Sequence, residues 1–318
     1  DIFSSRHEED WARLEAEFAR PIHSPFRESP ADIPAAYRRL CQHLALARHR
    51  RYGAQLIGRL NTIAANGHAH LYGHRVVSAR AMVERLVLDF PRTVRREWRL
   101  VGLAHLLFYV PFVGMMLAVL HDPAMVHAAL APEMISGLED MYDPASAHHL
   151  KARASESDLL MFGYYINNNI GIALRTFASG ALVGLGALFF LVYNAIILGG
   201  AAGHLTGIGF GSTFWTFVCT HGAFELTAIV LSGAAGMKLG FALLSPGRRT
   251  RGRALAEEAK AIMPMVWGFG LMLVAAAWVE AFWSSSALIP PAAKYTSAAL
   301  CWSAVYGYLL LTGRQRGA

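Results

Sequence analysis

A chain that places a histidine and a glutamate inside a long apolar run has few ways to fold. Residues 217–247 read FVCTHGAFELTAIVLSGAAGMKLGFALLSPG, with His221 and Glu225 four residues apart and so on one face of a helix. A charged side chain at the centre of a bilayer costs about 2.5–3.5 kcal/mol on insertion scales, so such a pair has to be buried against protein and matched there. Small residues follow at close-packing spacing: Gly222, Gly233, Gly236 and Gly240. The last two form a G-x-x-x-G step, which lets two helix backbones meet.

The rest of the chain agrees with a bilayer. Of 318 residues, 54% are hydrophobic and 16% charged, the balance of an all-α, polytopic helical membrane protein with a water-soluble portion. The net charge of +7 then records topology rather than nucleic-acid binding, and no nucleic-acid partner is expected. Cys41, Cys219 and Cys301 are widely separated and form neither a disulfide framework nor a C-x-x-C metal site.

Residues 1–97 read as a cytoplasmic helical bundle. Trp11, Leu14 and Phe18 make one apolar stripe, and Ile33, Tyr37, Leu40, Leu44 and Ala47 a second. Leu56, Leu60, Ile63 and Leu71 begin another, and Met82, Val83, Leu86, Val87 and Phe90 follow before Pro91. Ser29 to Asp32 resembles a capping box. His68, His70 and His74 lack a carboxylate or cysteine to complete a ligand set and read as a polar surface.

Residues 98–318 read as the transmembrane domain. Six segments are expected, at about 100–120, 169–199, 211–231, 232–245, 261–283 and 295–312. Arg92, Arg95, Arg96 and Arg99, then Arg248, Arg249, Arg251, Arg253 and Lys260, then Arg314 and Arg316, put both termini inside by the positive-inside rule. Residues 121–165 are acidic and are assigned outside; His148, His149, Lys151 and Arg153 fall within them. Residues 211–245 are long for one crossing and short for two, so a helix in and a shortened helix back, or a re-entrant hairpin, are both open. Gly200 to Gly211, with His204, reads as a flexible turn or a short broken segment. Gly180, Gly184 and Gly186 mark the second segment as close-packing.

The pattern HG..E..AI...G.AG..LG..L..PG resembles the stage II sporulation protein M family of integral membrane proteins. It is carried here by His221, Gly222, Glu225, Ala228, Ile229, Gly233, Ala235, Gly236, Leu239, Gly240 and Pro246-Gly247. Asn168-Asn169, Phe177, Gly180, Gly184, Gly186 and Asn194 match a second pattern, with Ala195 where the family has glycine. Val279 to Phe282 match a third, with Ala281 for glycine. The resemblance implies a multi-pass protein of the prokaryotic cytoplasmic membrane, working in an envelope complex. Its named member acts with cell-wall hydrolases and a partner membrane protein, and many others are encoded beside a MoxR-type ATPase. A homodimer or other homo-oligomer is expected, in contact with membrane lipid.

The polar set in or near the membrane is Asn169, Arg175, Asn194, His221, Glu225 and Glu280. A scaffold uses such groups to fix helix register. A transporter or channel uses a carboxylate and a histidine to carry a proton or cation. An intramembrane metallohydrolase needs three protein ligands to zinc, and H-x-x-x-E supplies two, so Glu280 or His204 would have to be recruited. H-E-x-x-H is absent, and no G-x-S-x-G, P-loop or G-x-G-x-x-G context points to another enzyme class. The reading at this level is a non-enzymatic envelope subunit with no cofactor, no metal and no catalytic residue.

Overall fold

The computed structural model describes residues 2–19, 32–72, 79–145 and 155–314, and every regular element in them is helical. The chain divides into two compact units, residues 1–78 and 79–318.

The first unit is three helices: α1 (Ile2–Ala19), α2 (Ile33–His49) and α3 (Ala54–Tyr72). Their apolar stripes close on one another. Trp11, Leu14 and Phe18 of α1 meet Ile33, Leu40, Leu44 and Ala47 of α2 and Leu60 and Ile63 of α3, all buried. Burying each large apolar side chain contributes about 1.5–3 kcal/mol, which is what orders helices of mixed propensity. The Trp11 indole Nε1–H donates to His43 Nδ1 at 3.2 Å. Arg59 of α3 clamps Glu8 and Glu15 of α1. Residues 29–31 of the capping-box pattern, and His74, lie outside the described residues. Asp32 accepts from Arg13 at 3.0 Å and makes no side-chain cap bond to α2.

The second unit begins with α4 (Ala79–Arg96) and α5 (Trp98–His121). A short turn of helix, α6 (Val126–Ala129), and α7 (Pro132–Tyr142) follow, then α8 (Ser155–Ala178) and α9 (Leu185–Gly207). Next come α10 (Gly211–Leu244) and α11 (Arg251–Trp278), the latter widening into a π-helical turn over Val279–Ser284. The last helix is α12 (Pro291–Leu311). Residues 146–154, with His148, His149, Lys151 and Arg153, and Arg316 lie outside the described residues.

Among the described residues, four helices are long and apolar enough to cross a membrane: Trp98–His121, Leu185–Gly207, Gly211–Leu244 and Arg251–Ser284. The helices α8 and α12 have comparable length and carry more polar groups. The helix α10 is central: 78% of its apolar window is buried, against 17% for α5, and α5, α8, α9, α11 and α12 all pack on it. The outer helices turn Leu106, Val110, Leu117, Leu185, Leu271 and Leu300 outward, an apolar exterior suited to lipid.

Five expectations are corrected. Residues 211–231 and 232–245 form one helix, α10, with no break. At 1.5 Å per residue it is about 51 Å long, more than a bilayer core. A helix surrounded by other helices need not match the lipid thickness, and its glycines are offset by the close neighbours they admit. The segment 169–199 is two helices that reverse at Ser179–Gly184. Gly184 has φ +83°, a left-handed conformation open to glycine at no steric cost, and it starts α9. The stretch 121–165, read as a loop between two segments, overlaps α8, which already begins at Ser155.

The fourth correction moves α4 out of the first unit. Phe90 is buried in the main core of the membrane unit and fills the space that Gly268 of α11 leaves open. The Arg95 guanidinium donates to the Leu309 and Thr312 carbonyls at the end of α12, a cationic C-cap. Arg92 and Arg96 likewise reach the Gly313 and Ala261 carbonyls. Basic residues thus collect at the end where α5 and α11 start and α12 finishes. Lys238 of α10 pairs there with Glu97 at 3.0 Å and Glu258 at 3.6 Å.

Glycine contacts order the interior. Gly180 packs backbone to backbone on Gly236, and Gly184 on Gly240, joining the α8–α9 turn to α10. Gly233 receives Leu191. Gly199, Gly203 and Gly207 form a stripe along α9 that meets Phe112, Met116 and Leu120 of α5. Gly200 to Gly207 are therefore helix, and the flexible turn expected over 200–211 shrinks to the few residues before α10.

Candidate functional site

His221 and Glu225 of α10 face the end of α11. His221 is buried, and its Nδ1 is hydrogen-bonded to Ser284 Oγ at 3.1 Å. The Phe217 ring packs edge-on against it, centroid to centroid 5.4 Å. One turn later Glu225 places Oε2 3.8 Å from His221 Nε2, too far for a hydrogen bond and close enough for charge interaction. Glu280 comes from the π-helical turn. That wider turn buries Glu280, Ala281 and Ser284 together, so one short segment delivers a carboxylate and a hydroxyl to the same face. Interruptions of this kind are frequent at functional sites.

One potential ligand atom from each of His221, Glu225 and Glu280 lies within 4.8 Å of the others. Glu280 is only 8% exposed, Asn169 of α8 lies beside its carboxyl group, and its Oε2 has no partner among the described residues. A buried carboxylate oxygen without a partner is costly, and native proteins keep few of them.

Of the six polar residues singled out by sequence, His221, Glu225, Glu280 and Asn169 converge here. Arg175 and Asn194 do not: Arg175 Nε donates to the Gly171 carbonyl and Asn194 Nδ2 to the Phe190 carbonyl, each within its own helix. His204, the other candidate recruit, is bonded to Glu139 at 2.7 Å and takes no part. His105 also lies elsewhere, between the Val101 carbonyl and the Tyr306 hydroxyl. Gly222 has no neighbour closer than 3.9 Å and is the one member of the glycine set without a tight approach.

Sequence reasoning missed Ser284 and Lys294, which it left in a loop. The Lys294 ammonium is buried and donates to the Ser284 carbonyl at 2.7 Å, while the Lys294 carbonyl accepts from Thr220 at 3.1 Å. A signal existed: Lys294 is the single Lys or Arg between Lys260 and Arg314. Both residues line a cavity of about 570 Å³, with Tyr142, Tyr165, Thr213 and Phe217. Phe217 and Ser284, the side chains that hold His221, are therefore also part of its wall. The cavity lies at the end of the unit away from the arginine-rich turns.

An apolar exterior, a central buried helix and an ionisable cluster enclosed by its neighbours define a multi-pass helical membrane protein. The family model for Stage II sporulation protein M matches residues 104–285, more than half of the chain and all three site residues. The chain belongs to the stage II sporulation protein M family. Residues 1–73 match a second family model, described as Domain of unknown function (DUF8413). No curated protein and no solved structure matches the chain.

Proposed function

We propose that this chain is a non-enzymatic integral subunit of an envelope-associated complex in a prokaryotic cytoplasmic membrane. Residues 1–78 serve as its cytoplasmic docking or self-association surface. The observation that carries the reading is the two-unit build. A small helical unit with its own aromatic core and exposed charged flanks adjoins in sequence a membrane unit whose glycines are spent on internal packing. Such a chain can anchor a partner without chemistry of its own. A MoxR-type ATPase or an envelope protein is the kind of partner the family suggests.

Gentle detergent extraction from native membranes, with crosslinking and mass spectrometry, tests this. A stoichiometric protein partner or a stable homo-oligomer is the expected outcome, and a chain that always elutes as a lone monomer overturns it. Cation- or proton-coupled transport is a second reading, favoured by the cavity beside His221, Ser284 and Lys294. Flux into liposomes holding wild-type protein, abolished by Glu225→Gln, would replace the subunit reading with that one.

A further inference from the structure

We propose that His221, Glu225 and Glu280 bind one divalent transition-metal cation, of the zinc class, in the interior of the membrane unit. Three observations converge. The first is geometric: one nitrogen and two carboxylate oxygens from two helices stand within 4.8 Å of one another. A tetrahedral zinc, with bonds of about 2.0–2.2 Å, holds its ligand atoms roughly 3.3–3.5 Å apart, so small side-chain rotations close the site. The second is the vacant valence of Glu280: its Oε2 is buried and partnerless among the described residues.

The third observation is the orientation of the imidazole. In the tautomer whose Nδ1–H donates to Ser284 Oγ, the Nε2 lone pair is free on the carboxylate side, where Glu225 Oε2 lies 3.8 Å away. A second ring nitrogen anchored by a hydrogen bond is the usual support of a metal-bound histidine. Charge selects a divalent ion, since two carboxylates and a neutral imidazole carry −2 and a dication brings the cluster to zero. A low-dielectric interior strongly favours that balance. The mixed nitrogen and oxygen set suits zinc, manganese, iron(II) or cobalt better than a thiolate-seeking ion. Three protein ligands would leave a fourth coordination position for a water or another small ligand.

This inference does not depend on the complex reading, because it concerns the purified chain alone. Loss of a partner and loss of a metal are read in separate experiments. The test uses full-length protein in detergent, stripped with chelator and titrated with cobalt(II) and zinc(II). Metal content is measured after gel filtration, and cobalt is followed by its visible ligand-field absorption. Wild type is expected to retain one ion per chain. His221→Gln and Glu280→Gln are expected to lose the cobalt band and at least tenfold in affinity, while their elution volume stays near wild type.

Should those two variants fail to fold, Ser284→Ala decides. It removes the support of Nδ1 without touching a ligand and is expected to weaken binding about tenfold. No ion retained by wild type overturns the proposal. So does an ion retained equally by all three variants, which would place it elsewhere, for example on His68 and His70.

Discussion

Asn194 meets its own helix carbonyl, whereas His221 needs Ser284 from another helix. The difference decides which polar residue carries information about function. A side chain satisfied within one turn costs the fold little, and one satisfied across helices holds two elements in register. His43, in the first unit, shows the same logic. Burial pushes its pKa below the ordinary histidine value of 6.5; the neighbouring His7 and Arg39 push the same way, and Asp10 opposes them. The neutral ring also accepts from Trp11 at Nδ1, a bond that protonation there destroys. Because the folded pKa lies below the unfolded one, the unfolded chain binds more protons between them. The contribution is complete above about pH 6.5 and is lost as pH falls toward the folded pKa. Hydrogen exchange of peptides from α1 and α2, corrected for intrinsic rates, is expected to speed up between pH 7 and pH 5.5 in wild type. His43→Gln, which can still accept from Trp11, should flatten that dependence.

Glycines act at the scale of elements, and their spacing in sequence did not reveal which helix each would meet. Gly240 and Gly222 sit on the same helix, α10, and make opposite predictions. A Cβ on Gly240 would run into the backbone of Gly184, which cannot rotate away. Gly240→Ala is expected to cost about 1–3 kcal/mol, the usual range for overpacking. Gly222 has ordinary contacts at 3.9–4.0 Å, so Gly222→Ala should be neutral or should gain up to about 1 kcal/mol of helix propensity. Thermal unfolding of the two variants in one detergent separates them: a fall of several degrees for the first and none for the second. Equal behaviour would mean that α9 and α10 do not meet through this contact. The stripe Gly199, Gly203 and Gly207 went unnoticed because glycine-rich sequence reads as turn when no partner helix is in view. Its four-residue spacing was the signal that it packs against α5.

At the scale of the whole molecule, charge and chemistry sit at opposite ends of the membrane unit. The arginines gather where α5 and α11 begin, and the cavity with Ser284 and Lys294 lies at the other end. If the basic end is cytoplasmic, as the positive-inside rule requires, the cavity opens outside. A cysteine introduced as Ala287→Cys, in a background lacking Cys41, Cys219 and Cys301, should react with a membrane-impermeant maleimide in intact cells. Arg248→Cys should react only after lysis. The reverse pattern inverts the topology and would remove the cytoplasmic assignment of residues 1–78.

Much of this was legible without coordinates. Apolar runs bounded by arginine clusters determined a helical membrane protein, because a bilayer admits only segments that satisfy their own backbone and charges that stay at its rims. The His221–Glu225 pair was visible because four residues is a local distance on a helix. Tertiary structure alone decided the rest: that α10 is unbroken, that the chain reverses at Gly184, that α4 belongs with the membrane unit, and that Glu280 rather than His204 joins the pair. Those outcomes depend on which helices become neighbours. The energies that choose neighbours come from contacts such as Gly240 on Gly184 and Phe90 on Gly268, between residues 56 and 178 positions apart, separations where no sequence period reaches.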